Sequence, residues 1–480
     1  MLKKRGDWAF TEGINHIVLH LYIHQPDDNR VPGVNAWFCT EFNRHNTWFK
    51  KSKAYFDYLR RCQYLLLQGK YVADVIYFIG KNAPIMTGVR QPELPKGYSY
   101  DYINAEVIIN RLSVKDGKFV LPDGMSYNVM VLPPFETIRP ELLSKIEELV
   151  AQGGKIYGDA PKRSPSLENY PESDEKVKML ADKMWAGNSK FKHYGQGAII
   201  DGLSLEKALD SLNIARDIIL DTNDPVLWTH RKSDDKDIYF LTNQSEKTIN
   251  INPSFRVENR KPELWNALTG EIRSLPDFSQ KDGHITVPIK MEALESWFVV
   301  FSNSETEVKS GYKTNFPELT TVQTLNKDWQ VDFQNKEIGS KDPVKLSKLE
   351  DWVTDKNDKI KYYSGTAVYS STFQYESAKN DDPVFIDLGK VGVMASVKVN
   401  GIDVGTTWIA PYKLEITDAI KSGENTIEVE VVNVWRNRLT GDKLLPEDQR
   451  TTWVLVDAVT PEEELISSGL IGPVTIKTIK

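Results

Sequence analysis

The sequence predicts a multidomain protein in which α/β units precede two all-β units, and three observations predict it. The chain has 480 residues, whereas a single hydrophobic core stops growing at roughly 250–300, so about three domains are needed. Up to about residue 220, β-branched runs alternate with amphipathic stretches of three- and four-residue apolar spacing. Beyond that point apolar and polar residues alternate in short runs bounded by Asn, Gly and Asp.

The first region, 1–71, reads as one βα unit. GINHIVLHLYIHQP at 13–26 predicts a strand over Ile14–Ile23, in which His16, His20 and His24 share one face and Leu21 and Ile23 take the other. A loop from Gln25 to Val34 follows and leads to Trp37 and Phe38. Asn46 or Thr47 is placed to cap a helix whose apolar stripe is Tyr55, Tyr58, Leu59, Cys62, Leu65 and Leu66, with Gly69 as its stop. One βα unit cannot cover a parallel strand on both faces, so this one requires more sheet or barrel around it.

From 72 to 222 the pattern is a compact α/β series. VADVIYFIG, NVMVLPP and KIYG read as strands, and YDYINAEVIINRL as a helix. RPELLSKIEELVAQGG is a helix opening at Pro140 and closing at Gly153-Gly154, and further helices are expected around Lys176–Trp185 and Ser204–Leu212. This describes a Rossmann-like, glutaminase-like domain; no G-x-G-x-x-G or Walker loop follows a strand, so it is read as structural and without nucleotide. DIYFLTNQ, TININPSFRV, KPELWNALTGEI, HITVPI and SWFVVFS predict a β-sandwich over 223–305. After the polar NSETEVKSGYKTN, residues 306–480 predict a jelly roll, with a hairpin turn at Asn400-Gly401.

Composition excludes several functions. Lys plus Arg number 60 against 67 Asp plus Glu, a net charge of -7, so there is no electrostatic footprint for nucleic acid or an anionic membrane. No apolar run reaches the roughly 18 residues of a membrane span, and no signal-peptide core follows the basic start. Cys39 and Cys62 cannot build a disulfide framework or a four-cysteine zinc site and are read as free thiols. Twelve tryptophans and twenty tyrosines supply the flat apolar faces on which sugar rings rest.

Three histidines in a column at the C-terminal end of a parallel strand mark a site, because open-sheet and barrel sites sit at that end. No H-E-x-x-H and no paired cysteines accompany them, whereas Tyr22, Gln25, Trp37, Asn43 and Trp48 lie nearby. Carbohydrate contact is therefore preferred to zinc. Glycoside hydrolysis needs two carboxyl groups, and the sequence offers no convincing pair: Glu12 lies at the wrong end of the strand and Glu41 in the loop after it.

GDWAFTEGINHIVLHLYIHQP, FNRHNTWF, FDYLRRCQYLLLQGKYVADVIYFIGKNAPIMTG and DGMSYNVMVLPP resemble the C-terminal portion of family 106 glycoside hydrolases, the α-L-rhamnosidases. YYSGTAVYSSTF and VKVNGIDVGTTWIAPYKLEIT resemble the galactose-binding-like jelly roll of family 2 hydrolases. The resemblance implies that residues 1–71 are the last βα unit of a catalytic (β/α)8 barrel and that the acid and base of an inverting reaction lie upstream of Met1. It leaves no catalytic residue in this chain and implies substrate contacts at His20, Tyr22 and His24, with Glu41, Asn43 and Trp48 beside them. A chain so truncated is expected to be inactive alone, to expose an apolar strand edge and helix face, and to associate with a polypeptide carrying the missing strands. The partner implied is a rhamnose-containing glycan; no cofactor is implied, a structural calcium stays open, and the family's location is periplasmic or extracellular. Lys81-Asn82 stands where the family leads one to expect an acidic pair. Two alternatives remain: a non-catalytic carbohydrate-binding protein using Trp352, Trp408 and Trp435 as a platform, and a glycosidase of another specificity such as a β-galactosidase.

Overall fold

The computed structural model describes residues 2–36, 41–80, 90–303, 311–325, 327–376, 382–457 and 459–480. It is a multidomain arrangement of mixed α/β and β-sheet units. The short strands Val75–Phe78, Val129–Val131 and Lys155–Tyr157 are almost wholly apolar, as strands covered on both faces must be. They lie in a six-stranded sheet ordered Phe191–Tyr194, Gly197–Ile200, Lys155–Tyr157, Val129–Val131, Val75–Phe78, Tyr100–Ile103. Every pairing is parallel except that of the first two strands. Ile76 and Met130 face one buried layer, which contains Leu142, Ile146 and Leu149 of the helix Pro140–Ala151. Val75, Tyr77 and Val129 face the other, with Leu205 and Leu209 of the helix Leu205–Ser211.

YDYINAEVIINRL corrects the expectation of a single helix. Tyr100–Ile103 pairs as an edge strand, and Asn104 ends it by accepting a hydrogen bond from the Val107 amide, which caps the helix Ala105–Asn110. The two tyrosines favour a pleated surface and the Asn side chain offers the cap, so the segment divides at that residue.

The next sheet is antiparallel, ordered Ile272–Ser274, Pro262–Trp265, Ser296–Ser302, Lys236–Asn243, Val226–Lys232, Lys70–Tyr71. Its central strand is buried along both faces. Tyr239 and Leu241 enter a core shared with Phe255, Ile285 and Val287, while Ile238 and Phe240 enter a different one with Tyr58, Leu59 and Leu65. The helix Lys53–Leu66 therefore lays its apolar stripe on the outside of this sheet. That corrects the expected exposed helix face: the stripe finds its partner within the chain.

The C-terminal part has a four-stranded sheet (Leu319–Thr324, Thr475–Ile479, Val384–Asp387, Lys413–Glu415) and a six-stranded one that includes Thr366–Tyr375 and Gly423–Val432. Trp329, Tyr369, Ile386, Val429 and Ile476 share one core between them. Asn400 and Gly401, both at positive φ, turn the hairpin Met394–Val399/Ile402–Thr407, the conformation that the Asn-Gly pair favours.

At the N-terminus three further differences arise. Leu2–Thr11 is a helix, and the expected strand Ile14–Ile23 makes no ladder; its strand-type pairing is the isolated bridge Tyr22–Phe42. The helix that follows begins at Lys53, not at Asn46 or Thr47, because residues 46–52 wind in tight i→i+3 turns first. Among the described residues no helix is long and apolar enough to cross a membrane.

Gly69 joins the first region to the sheets at φ +55, and a Cβ there would lie 2.1 Å from the Lys232 carbonyl oxygen. Gly69→Ala is expected to destabilise the protein by on the order of 1–3 kcal/mol, read as a lower urea midpoint.

Candidate functional site

The helix Leu2–Thr11 delivers the chain to Gly13, whose φ of +95 redirects it into the extended segment 14–24. That segment keeps a two-residue period without a neighbouring strand. Ile17 and Leu19 are half-buried against the core of Phe10, Tyr58 and Phe240, whereas His16, Val18, His20, Tyr22 and His24 are exposed. Its backbone is held from the side: the Phe42 amide donates to Leu21 O at 2.9 Å, Ile23 N to Phe42 O at 3.0 Å, and Gln63 Nε2 to Ile17 O at 3.3 Å.

His20, Tyr22 and His24 thus stand on one open face, with His16 in register behind them. Tyr22 is 62% exposed and its ring lies 6.1 Å from that of Phe49. Glu41 is half-buried, and burial holds its carboxyl above the usual carboxylate range. Asn43 and Trp48 are used differently. Asn43 is buried and its Oδ1 accepts from the His45 amide at 2.8 Å, while Trp48 packs edge-on against Phe42 at 5.3 Å. Glu12 is exposed just past the first helix. Cys62 is a buried free thiol, pushed up by burial; Trp37, Phe38, Cys39 and Lys81-Asn82 lie outside the described residues.

The C-terminal part reaches this face, which the sequence did not announce. Gln25 brackets Val34, donating to its carbonyl at 2.6 Å and accepting from its amide at 2.8 Å. Pro32 and Gly33 then pair in parallel with Trp453 and Val454, and Asn35 brackets Val456 with two bonds of 2.8 Å. Trp435 Nε1 donates to His45 O at 2.7 Å, and Lys51 pairs with Glu430 at 2.6 Å.

The tryptophan platform of the carbohydrate-binding alternative does not form. Trp352 is buried and donates to Tyr369 Oη at 2.6 Å, Trp408 packs on Tyr55 at 5.1 Å, and Trp435 is tied to His45. Each indole N–H or face is used internally, as large aromatics usually are.

The imidazoles of His20 and His24 and the Tyr22 phenol on one face can donate to and accept from a neutral polyol, with Tyr22 offering an apolar surface. Asp27 and Asp28 are paired with Arg30 and Arg44, so Glu41 is the half-buried carboxyl at hand. Among the described residues no three His, Cys, Asp or Glu side chains gather as metal ligands.

A family model described as alpha-L-rhamnosidase, glycoside hydrolase family 106, matches residues 1–280. The chain belongs to glycoside hydrolase family 106. A second model, the galactose-binding-like domain of family 2 hydrolases, matches residues 330–457 of this family 106 chain. It is similar to a rhamnosidase of Novosphingobium sp. PP1Y, at 33% identity and a TM-score of 0.91, over 99% of this chain and 46% of that one. It is also 27% identical to a protein of Formosa agariphila named as a putative beta-glucuronidase, over all of this chain and 61% of that protein. The family 106 chain thus spans less than two thirds of these relatives.

Proposed function

We propose that this family 106 chain forms part of an α-L-rhamnosidase that removes terminal rhamnose from plant or bacterial glycans. The observation that carries this reading is the exposed face of His20, Tyr22 and His24 on a segment inside the rhamnosidase match. In it the imidazoles and the Glu41 carboxyl bond the sugar hydroxyls and Tyr22 covers a C–H face. The domain reading belongs to the same proposal: a βα unit at 1–71, a Rossmann-like domain at 72–222, a sandwich at 223–305 and a jelly roll at 306–480. The carboxylic acid that protonates the leaving oxygen and the carboxylate that activates water are assigned to polypeptide outside these 480 residues, together with the remaining barrel strands. Exposed Ile14 and Val18 at the start of the same segment support that partner. A periplasmic or extracellular location goes with a glycan substrate.

The 480-residue chain is expected to bind L-rhamnose in a titration followed by NMR, yet to hydrolyse an aryl α-L-rhamnoside at least about a thousandfold more slowly than the chain reconstituted with the rest of the barrel. That gap corresponds to roughly 4 kcal/mol of barrier. Full activity of the 480 residues alone would overturn the assignment of the acid and base. The name of the Formosa agariphila relative favours a second reading, a glucuronidase; an aryl β-D-glucuronide in the same assay, cleaved in preference to the rhamnoside, would select it.

A further inference from the structure

We propose that Trp453, with Leu455 and Arg30, forms a second sugar subsite that takes the pyranose ring following the terminal sugar of a bound glycan. The inference rests on the carbohydrate reading of the His20–His24 face and adds a binding element from the C-terminal part.

TTWVLVD at 451–457 alternates in exposure: Val454 and Val456 are half-buried, while Trp453 and Leu455 are 37% and 59% exposed on the opposite side. The strand is fastened at both ends. Asp442, buried, accepts from Thr451 N at 3.0 Å, Thr452 N at 2.8 Å and Thr452 Oγ1 at 2.7 Å, and is ion-paired with Arg438. At the other end Asn35 grips both backbone groups of Val456. A segment held this firmly presents its outward side chains in one place, which reduces the ordering cost of binding.

The chemistry fits a sugar. A pyranose has an apolar C–H face for the indole and equatorial hydroxyls around it, and the Arg30 guanidinium, which lies over the Trp453 ring 5.0 Å from its centre and pairs with Asp27 at 3.3 Å, supplies a donor beside it. The two are joined through one loop: His24 precedes Gln25, Gln25 brackets Val34, and the adjoining Gly33 pairs with Val454. A glycan seated by its terminal sugar on the histidine face would extend along this bracketed loop.

The test is calorimetric titration of the 480-residue chain with L-rhamnose and with a trisaccharide ending in α-L-rhamnose. Trp453→Ala is expected to weaken the trisaccharide at least about tenfold, with free rhamnose within about twofold, since one buried aromatic contact supplies an energy of that order. Trp453→Phe should retain most of the trisaccharide affinity. Equal trisaccharide binding by Trp453→Ala and the unaltered chain, or an equal loss for both sugars, overturns the subsite. If the unaltered chain binds neither sugar, the carbohydrate reading of the histidine face falls with it.

Discussion

Replacing Asp217 with alanine is expected to remove about 3–5 kcal/mol of unfolding free energy, because one member of a buried ion network is deleted and its partner is left charged. His230 is buried with Nδ1 2.9 Å from Asp217 and Nε2 3.0 Å from Asp237, so both ring nitrogens must carry protons to be satisfied. Tyr239 donates to Asp217 at 2.9 Å and stacks on the imidazole at 3.9 Å. Arg256 bonds Asp74 twice at 3.1 Å and lies 3.5 Å from Asp217; Arg260 and Lys232 face Asp237. The network ties the parallel sheet, through Asp74, to the antiparallel one.

Burial opposes charge on His230, yet the two carboxylates outweigh it and its pKa is raised. Burial likewise opposes ionisation of Asp217 and Asp237, yet the imidazolium outweighs it and both are lowered. A raised His contributes stability that is complete below its unfolded value, about 6.5, and fades as pH climbs through the folded one; the lowered Asp contribution is complete above about 3.9 and fades in acid. Stability from the cluster is therefore greatest between about pH 4 and 6.5. Urea midpoints at about pH 5.5 and 8.5 should fall with pH in the unaltered chain and fall less in Asp217→Ala. An equal fall in both would show that His230 is not charged by this pair.

Elements written in local periodicity were legible. Leu142, Leu143, Ile146, Leu149 and Val150 repeat at helical spacing after Pro140, and the observed helix buries all five. YDYINAEVIINRL failed on a local signal, the Asn104 cap, whereas other failures turned on a distant partner. Ile14–Ile23 has the alternation of a strand, but a ladder needs neighbours, and the segment has only Phe42 beside it among the described residues. The Asp74–Arg256 pair joins residues 182 apart, with no local pattern to mark either. For the tryptophans the signal was present: Trp453 alternates with half-buried valines, while the buried Trp352 is flanked by the sharp turn of residues 352–354.

Asp7→Ala is expected to cost a similar amount, about 3–5 kcal/mol, and to act on the histidine face from a distance. Lys3 and Asp7, one helical turn apart, are both buried and bonded at 2.6 Å. The Lys3 ammonium also reaches Ser296 Oγ at 2.7 Å and Leu294 O at 3.0 Å, while Asp7 accepts from Tyr58 and, at 3.3 Å, from Thr242. The helix Leu2–Thr11 is thus pinned to the sheet and to the helix Lys53–Leu66 by one charge pair. Removing the carboxylate leaves a buried ammonium with only the neutral acceptors Ser296 Oγ and Leu294 O and no counter-charge, and the helix can recover by undocking. Residues 2–11 should then lose amide-exchange protection first, and segment 14–24 with them, so that L-rhamnose affinity falls although Asp7 touches no sugar. The double variant Lys3→Met, Asp7→Leu separates charge from packing: with no ion to desolvate it should regain most of the stability and the binding. If the double variant is as unstable as Asp7→Ala, shape in this pocket and not the unpaired charge holds the helix down.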